Sequence, residues 1–320
     1  MTSPYGEVTS PSDGNVDPIA VSSSCHGGDR SGFRSGFVAV VGRTGVGKST
    51  LVNAMVGRKV SITSSRSGTT RARLQGVING EGYQVVLVDT PGFHKPHNLL
   101  GERQNAAAAG SVSSVDVVLV VVDASREIGP GDRFAASTAR GAAKSFVVVN
   151  KVDRVARHRL LPKLLAASRL LVGAGDGADG AECFPVSARS GAGIAELVGS
   201  LVGFLPEGPR YYPDGIMSDV PEVAWTAEIV REQVLARVGD ELPHSVACRI
   251  VDWDWPRVRC EILVERESQK PIVIGAGGKR LKAIGEAARG QLAPGAYLEL
   301  VVKVERNWQK RPEILSRLGY

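Results

Sequence analysis

Long apolar runs are missing from this chain. Nothing in its 320 residues approaches the roughly 18 consecutive apolar residues that a membrane-crossing helix needs, so no helical span is expected. Signal-peptide features are missing too. The first stretch, MTSPYGEVTSPSDGNVDPIAVSSSCHGGDR, has neither a charged start nor an apolar middle. It is rich in Ser, Gly, Pro and Asp, which predicts a disordered tail over residues 1–33 and a cytoplasmic protein. Cysteine is scarce. Cys25, Cys183, Cys248 and Cys260 form no CxxC pair and no metal-ligand spacing, which leaves no disulfide scaffold or metal module to expect. Cys248 and Cys260 sit in alternating stretches, VACRIV and VRCEILV, sharing a face with Val246, Ile250, Ile262 and Val264, and read as small buried hydrophobes. The histidines His94, His97 and His244 read as surface or turn residues, and no internal repeat is visible.

What is present is enough for two domains. The hydrophobic fraction is 43%, ordinary for a globular core. Short β-branched runs at 37–41, 85–89, 115–123, 145–150 and 183–188 alternate with helical stretches such as RVARHRLLPKLLAASRLL and GIAELVGSLVGFL. Parallel strands covered on both faces look like this, so residues 34–205 are expected to form a doubly wound α/β domain. The glycine-rich 172–182 reads as a loop, and LPEGPRYYPDGIMSDVPE as a linker over about 206–222. Residues 223–320 then follow the order α-β-β-α-α-β with a tail helix, an α+β unit whose last strand puts Leu298, Leu300, Val302 and Val304 on one face.

Charge is uneven along this second half. Net charge for the chain is +6; from residue 270 onward ten Lys or Arg stand against four Glu, whereas 206–269 carry seven against thirteen acids. A basic block of this kind is either a solvated face or a phosphate-binding surface.

The chemistry begins at GRTGVGKST. Gly42-x4-Gly47-Lys48-Ser49 follows a buried strand and opens a helix, the context in which a glycine-rich loop turns its N–H groups onto phosphates. Gly42, Gly45, Val46, Gly47 and Thr50 line that loop, Lys48 reaches the β- and γ-phosphates, and Ser49 is a candidate Mg²⁺ ligand. DTPG places Asp89 beside the Mg²⁺ and the Gly92 N–H near a γ-phosphate. NKVD sets the base: the Asp153 carboxylate suits the N1–H and exocyclic amine of guanine, with Asn150, Lys151, Ser187 and the Ala188 N–H completing the pocket. Each motif ends a strand, where ligands bind in such sheets, and together they select GTP/GDP with Mg²⁺ over ATP. In SITSSRSGTTRAR a threonine should meet Mg²⁺ and γ-phosphate only in the GTP state; Thr70 is the candidate, Thr69 its neighbour. The catalytic set is thus Lys48, Thr70 and Gly92, and the metal set Ser49, Thr70 and Asp89. Loss of the γ-phosphate should release this segment and FHKPHNLLGERQN.

GFVAVVGRTGVGKSTLVNAMVG, SITSSRSGTTRAR, VDTPGFHKPHNLLGE and NKVD resemble the Era GTPases, and so do LPEGPRYYP, ELPHSV, ERESQKPIVIG and the ending LGY. The resemblance spans about residues 34–320. It implies a P-loop GTPase domain followed by a type II KH domain, a monomer that binds the 3′ end of small-subunit ribosomal RNA and acts in assembly of the small ribosomal subunit. The residues support the KH reading on their own: IGAGGKRL fits IGxxGxx[IL] between two helices, with Lys279, Arg280 and Lys282 next to the turn. Gly275, Ala276, Gly277 and Gly278 with those three bases form the candidate RNA site.

Two sites depart from the family pattern, the phosphate loop and the KH turn. Thr44 and Gly45 stand where the family has Pro and Asn; the missing side-chain oxygen removes a potassium ligand, which puts K⁺-stimulated hydrolysis in doubt. Ala276 replaces a lysine of the usual GKGG turn, which should cost one phosphate contact. Phe93 stands where Ras-like proteins carry a water-orienting glutamine, which predicts slow intrinsic turnover. Two other classes stay open on sequence alone: an RNA chaperone whose nucleotide is structural, and a GTPase whose second domain docks on protein or, through the basic block, peripherally on the inner face of the cell membrane.

Overall fold

The computed structural model describes residues 32–64, 69–96, 98–112, 114–171, 181–239, 242 and 245–320. The expected disordered tail (all but its last two residues), most of the 172–182 stretch, Cys25, His97 and His244 lie outside the described residues.

β1 (Arg34–Val41) runs through the glycine loop into α1 (Lys48–Val56). β2 (Leu74–Gly80), β3 (Tyr83–Asp89), α2 (Leu99–Gly110), β4 (Val117–Asp123), α3 (Pro130–Ala139), β5 (Lys144–Asn150), α4 (Arg157–Ser168), β6 (Cys183–Pro185) and α5 (Ile194–Phe204) follow. The strands form one sheet in the order β2-β3-β1-β4-β5-β6, parallel except for β2. Its apolar runs work on both faces because successive side chains point opposite ways. Val38, Val40, Leu119, Val121, Phe146 and Val148 pack against Leu51 and Met55 of α1 and Leu197 and Leu201 of α5. Their neighbours Ala39, Val41, Val118, Val120, Val147 and Val149 meet Ala108 of α2, Ala135, Ala136 and Ala139 of α3 and Ala167 of α4. Small residues on those three helices let them sit close on the valine-rich sheet.

The stretch 206–221 is more ordered than a proline- and glycine-rich linker suggests. It doubles back along β1 and the edge strand β2. Gly208 N–H donates to the Phe33 carbonyl at 3.0 Å and Val77 N–H to the Met217 carbonyl at 2.8 Å. Gln84, fully buried, is the hub: its Oε1 accepts from the Tyr211 and Tyr212 N–H groups (2.8 and 3.0 Å), and its Nε2 donates to the Tyr212 carbonyl (2.9 Å) and Asn79 Oδ1 (2.7 Å).

The second half has the expected order: α6 (Glu222–Arg237), β7 (Ala247–Asp254), β8 (Arg257–Val264), α7 (Lys270–Ile274), α8 (Lys279–Arg289), β9 (Tyr297–Val304) and the tail helix α9 (Pro312–Arg317). β8 is central, antiparallel to β7 and parallel to β9. One face of this sheet, with Cys248, Cys260, Ile262, Leu298 and Val302, packs on Ile229, Val230 and Val234 of α6 and Ile284 and Ala288 of α8. Cys248 and Cys260 are free thiols inside that core. On the other face Ala247 and Leu263 meet Trp308, Ile314 and Leu315, and Leu100 of α2 joins the same cluster. Trp308 is therefore a packing residue.

Candidate functional site

Four parallel strands end on one edge of the first sheet, and the four motifs meet there. The loop after β1 turns on glycine. Gly47 has φ +96°, and a Cβ on it would lie 2.6 Å from Asn150 Nδ2. Gly45 has φ +79° with open space beside it. Val46 faces inward, its side chain fully buried in the core, so only its backbone belongs to the loop surface. Ser49 and Thr50 occupy the first turn of α1.

Lys48 is buried, and its Nζ donates to the carbonyls of Gly42 (3.1 Å) and Arg43 (3.3 Å). Burial lowers its pKa from 10.5 to about 8, against the opposing pull of Asp89. Asp89 is fully buried at the end of β3. Its Oδ2 accepts from Ser61 Oγ at 2.8 Å and from Thr70 Oγ1 at 3.5 Å. Thr70 Oγ1 in turn lies 2.7 Å from Ser49 Oγ. Burial pushes the Asp89 carboxyl up, while Lys48 and the surrounding hydroxyls draw it down. Its Oδ1 has no partner among the described residues. An orphaned carboxylate oxygen beside two hydroxyls is a donor set of hard oxygens, and it fits Mg²⁺. The three sequence-derived metal ligands are thus drawn together, and of the two threonines Thr70 is the one that faces Ser49 and Asp89.

After Asp89 the chain pairs with the phosphate loop. Phe93 N–H donates to the Gly42 carbonyl at 3.1 Å and Thr44 N–H to the Phe93 carbonyl at 3.4 Å. A Cβ on Gly92 would lie 2.7 Å from Thr44 Cα, so only glycine fits this approach. The Phe93 ring is buried edge-on against Phe134 at 5.2 Å and presents nothing polar to the site.

On the base side, Asn150 braces loops. Its Nδ2 donates to the Val46 carbonyl (3.0 Å), and its Oδ1 accepts from the N–H groups of Lys151 (2.8 Å) and Ala188 (3.1 Å). Ser187 Oγ donates to Asp153 Oδ1 at 2.7 Å, orienting a carboxylate that remains exposed. Lys151, at φ +65°, sends its Nζ to the Gly45 carbonyl and to Asp123 Oδ2, both 2.7 Å. Sequence reasoning missed Asp123. Burial alone would raise its pKa, but the bonds from Lys151 and Ser125 hold it below the usual carboxylate range. Its signal was the acidic end of VDVVLVVVD, parallel to the acid that ends VVLVD. Ser61 was missed as well, buried in SITSS and donating to Asp89.

In the second half the turn 275–278 has the backbone that glycine permits: Gly275 has φ +76°, and a Cβ there would lie 2.7 Å from Arg280 Cβ. The length of α8 and the strand β9 border an open groove of about 330 Å³, lined by Gly278, Leu281, Lys282, Gly285, Arg289 and the leucines 298 and 300. Lys279, Lys282 and Ala276 are exposed around it. Arg280 is partly turned back, donating to the Ile272 carbonyl. Arg289 is a lining base that the sequence motif did not point to.

Both halves have recognisable counterparts. The family model described as 50S ribosome-binding GTPase matches residues 37–151, and the KH domain model matches 241–309. The GTPase Era of Mycolicibacterium paratuberculosis is 45% identical over 303 residues, covering 90% of this chain and 99% of that protein. That of Mycobacterium tuberculosis is 44% identical over 304 residues, with the same coverage. Among solved structures, Era in complex with MgGDPNP and nucleotides 1506–1542 of 16S ribosomal RNA superimposes with TM-score 0.84 at 36% identity, over 90% of this chain and 99% of that one. An Aquifex aeolicus Era variant bound to GDP·AlF4⁻ gives TM-score 0.83 at 36% identity, with the same coverage.

Proposed function

The chain belongs to the Era family of GTPases, and from this premise we propose that it is a Mg²⁺-dependent GTP switch that binds the 3′ end of small-subunit ribosomal RNA and times assembly of the small subunit. The observation that carries the reading is the cluster of Ser49, Thr70 and Asp89 near Lys48: the two hydroxyls meet, Thr70 reaches Asp89 Oδ2, and the buried Asp89 Oδ1 has no partner among the described residues. In this reading residues 34–205 are the GTPase domain, 206–222 the strap between domains and 223–320 the KH domain.

Lys48, now bonded to loop carbonyls, turns its charge to the β- and γ-phosphates. The Gly92 N–H and the Thr70 hydroxyl stand where a γ-phosphate distinguishes GTP from GDP. Ser49, Thr70 and Asp89 would hold Mg²⁺, which would supply neutralisation of phosphate charge. Asp153, oriented by Ser187, accepts from guanine, while Asn150 and Lys151 hold the loops that shape the base pocket. With the Phe93 ring buried, no side chain at that position orients water, which fits a slow intrinsic rate raised by a partner. Gly45 offers no side-chain oxygen, so the potassium ligand of the family pattern is missing here. The groove beside 275–278 receives single-stranded RNA, its phosphates met by Lys279 and Lys282 and by the remaining donors of Arg280. The protein acts as a cytoplasmic monomer. Any contact with the inner face of the membrane runs through the exposed basic block, since no helix among the described residues is long and apolar enough to cross a membrane. The RNA assignment follows the solved relative that holds 16S nucleotides.

Fluorescence anisotropy of a labelled RNA matching the 3′ end of small-subunit ribosomal RNA tests this directly. Binding should be tighter with a non-hydrolysable GTP analogue than with GDP. Equal binding in both states would remove the switch, and no binding in either would remove the RNA partner.

A further inference from the structure

α6 belongs to the KH half, yet two adjacent side chains on it reach the segment that carries Thr70. Glu232 Oε1 accepts from the Thr63 N–H at 2.9 Å, and its Oε2 pairs with Lys59. Arg231 NH2 donates to the Thr69 carbonyl at 2.5 Å. A carboxylate therefore takes an N–H before the segment and a guanidinium takes a carbonyl at its end. Both side chains are buried, and Arg231 fully so. Glu228 holds Arg231 from the same helix, at 2.9 Å to Nε and 2.5 Å to NH2.

The next residues divide in direction. Thr70 turns its hydroxyl inward to Ser49, at 2.7 Å. Arg71 turns outward: NH1 donates to the Val246 carbonyl at 2.7 Å, and its guanidinium lies 5.3 Å from the Trp308 ring and 5.5 Å from that of Tyr320. Thr70 thus sits between two residues, each tied to the KH half. With its neighbours fixed, its hydroxyl has little freedom to miss the metal set. The arrangement is not one that stability alone favours. A fully buried guanidinium is costly to desolvate, and Arg231 NH1 finds no partner among the described residues.

We propose that Arg231 and Glu232 are positioning residues for GTP hydrolysis: from the KH half they hold Thr69 and Thr63 so that Thr70 stands ready for the metal and the γ-phosphate. The inference rests on Thr70 being the GTP-state ligand. It makes α6, and not a loop of the GTPase half, the part through which an RNA-bound second half sets the rate of the first.

The test uses the full chain with Thr70→Ala, Arg231→Lys, Glu232→Ala and the Thr70→Ala/Arg231→Lys double variant. Each is measured for Mg·GDP affinity, for affinity towards a non-hydrolysable GTP analogue, and for single-turnover hydrolysis. Both α6 variants should slow hydrolysis about tenfold and weaken the analogue severalfold while leaving GDP affinity unchanged, the size of a typical intersite coupling. The double variant should be no slower than Thr70→Ala alone. A purely structural role would instead lower GDP affinity and the melting temperature together, and that pattern overturns the proposal. So does normal hydrolysis in both α6 variants while Thr70→Ala is slow. If Thr70→Ala itself hydrolyses normally, the reading of Thr70 fails first, and the clamp falls with it. Should Arg231→Lys not fold, Glu232→Ala decides by the same comparison of GDP with GTP analogue.

Discussion

Lys48 is a cation kept in a dry site. Burial lowers its pKa from 10.5 to about 8, a shift worth about 3 kcal/mol of destabilisation while the lysine is charged. The sign follows from proton counts. Between pH 8 and 10.5 the unfolded chain still binds the proton that the folded chain has released, so stability rises with pH across that window. Below pH 8 the full penalty applies. Lys48→Met should therefore raise the Tm of the nucleotide-free protein at pH 7, lose that advantage as pH climbs towards 10, and abolish stabilisation by Mg·GDP. Thermal melts at a series of pH values, with and without nucleotide, check all three. Lys48, Ser49, Asp89 and Asp153 were legible because loop chemistry fixes their spacing within short motifs. Arg231 and Glu232 were not legible. Their partners Thr69 and Thr63 lie 162 and 169 positions away in the chain, and α6 by itself shows no more than an ordinary charged helix.

At the scale of elements, the parallel strands announced themselves as β-branched runs, since both of their faces are buried. β2 did not. LQGVING has only two adjacent apolar residues, and it is a strand because β3 pairs with it antiparallel from Leu74↔Asp89 to Gly80↔Tyr83. The order within the linker over 206–221 was hidden for a related reason. Proline and glycine forbid helix, but order here comes from hydrogen bonds to a distant glutamine. Gln84→Ala should strand the Tyr211 and Tyr212 N–H groups and cost about 2 kcal/mol in a denaturant titration. Limited proteolysis should then cut within 209–219, with GDP affinity unchanged, because Gln84 lies at the opposite end of β3 from Asp89. α2 is coupled in a similar way: Asn98 caps it by accepting from Gly101 N–H at 2.9 Å and also donates to Gln309 of the tail. The helix that follows DTPG is therefore tied, like Thr70, to the second half.

For the molecule as a whole, charge placement bears on the proposed RNA contact. From the basic block, Lys282 and Arg289 line a groove next to a turn that carries Ala276, where a lysine would add a phosphate contact. Ala276 is exposed and its backbone suits any residue, so Ala276→Lys should fold normally and tighten RNA binding. The slope of log K against log salt should steepen by about 0.7, the value for one further phosphate on a single strand. Anisotropy titrations at several salt concentrations measure it. Trp308 extends the same whole-molecule view. It is fully buried where the outer face of the second sheet meets α2, its Nε1–H donating to the Ser245 carbonyl at 3.0 Å and the Arg71 cation beside its ring. Of the four tryptophans it alone sits in that junction, while Trp225 and Trp253 pack in the KH core and Trp255 faces water. The protein thus carries its own optical gauge: any parting of the two halves would hydrate this indole and redden its emission, a change readable without a dye.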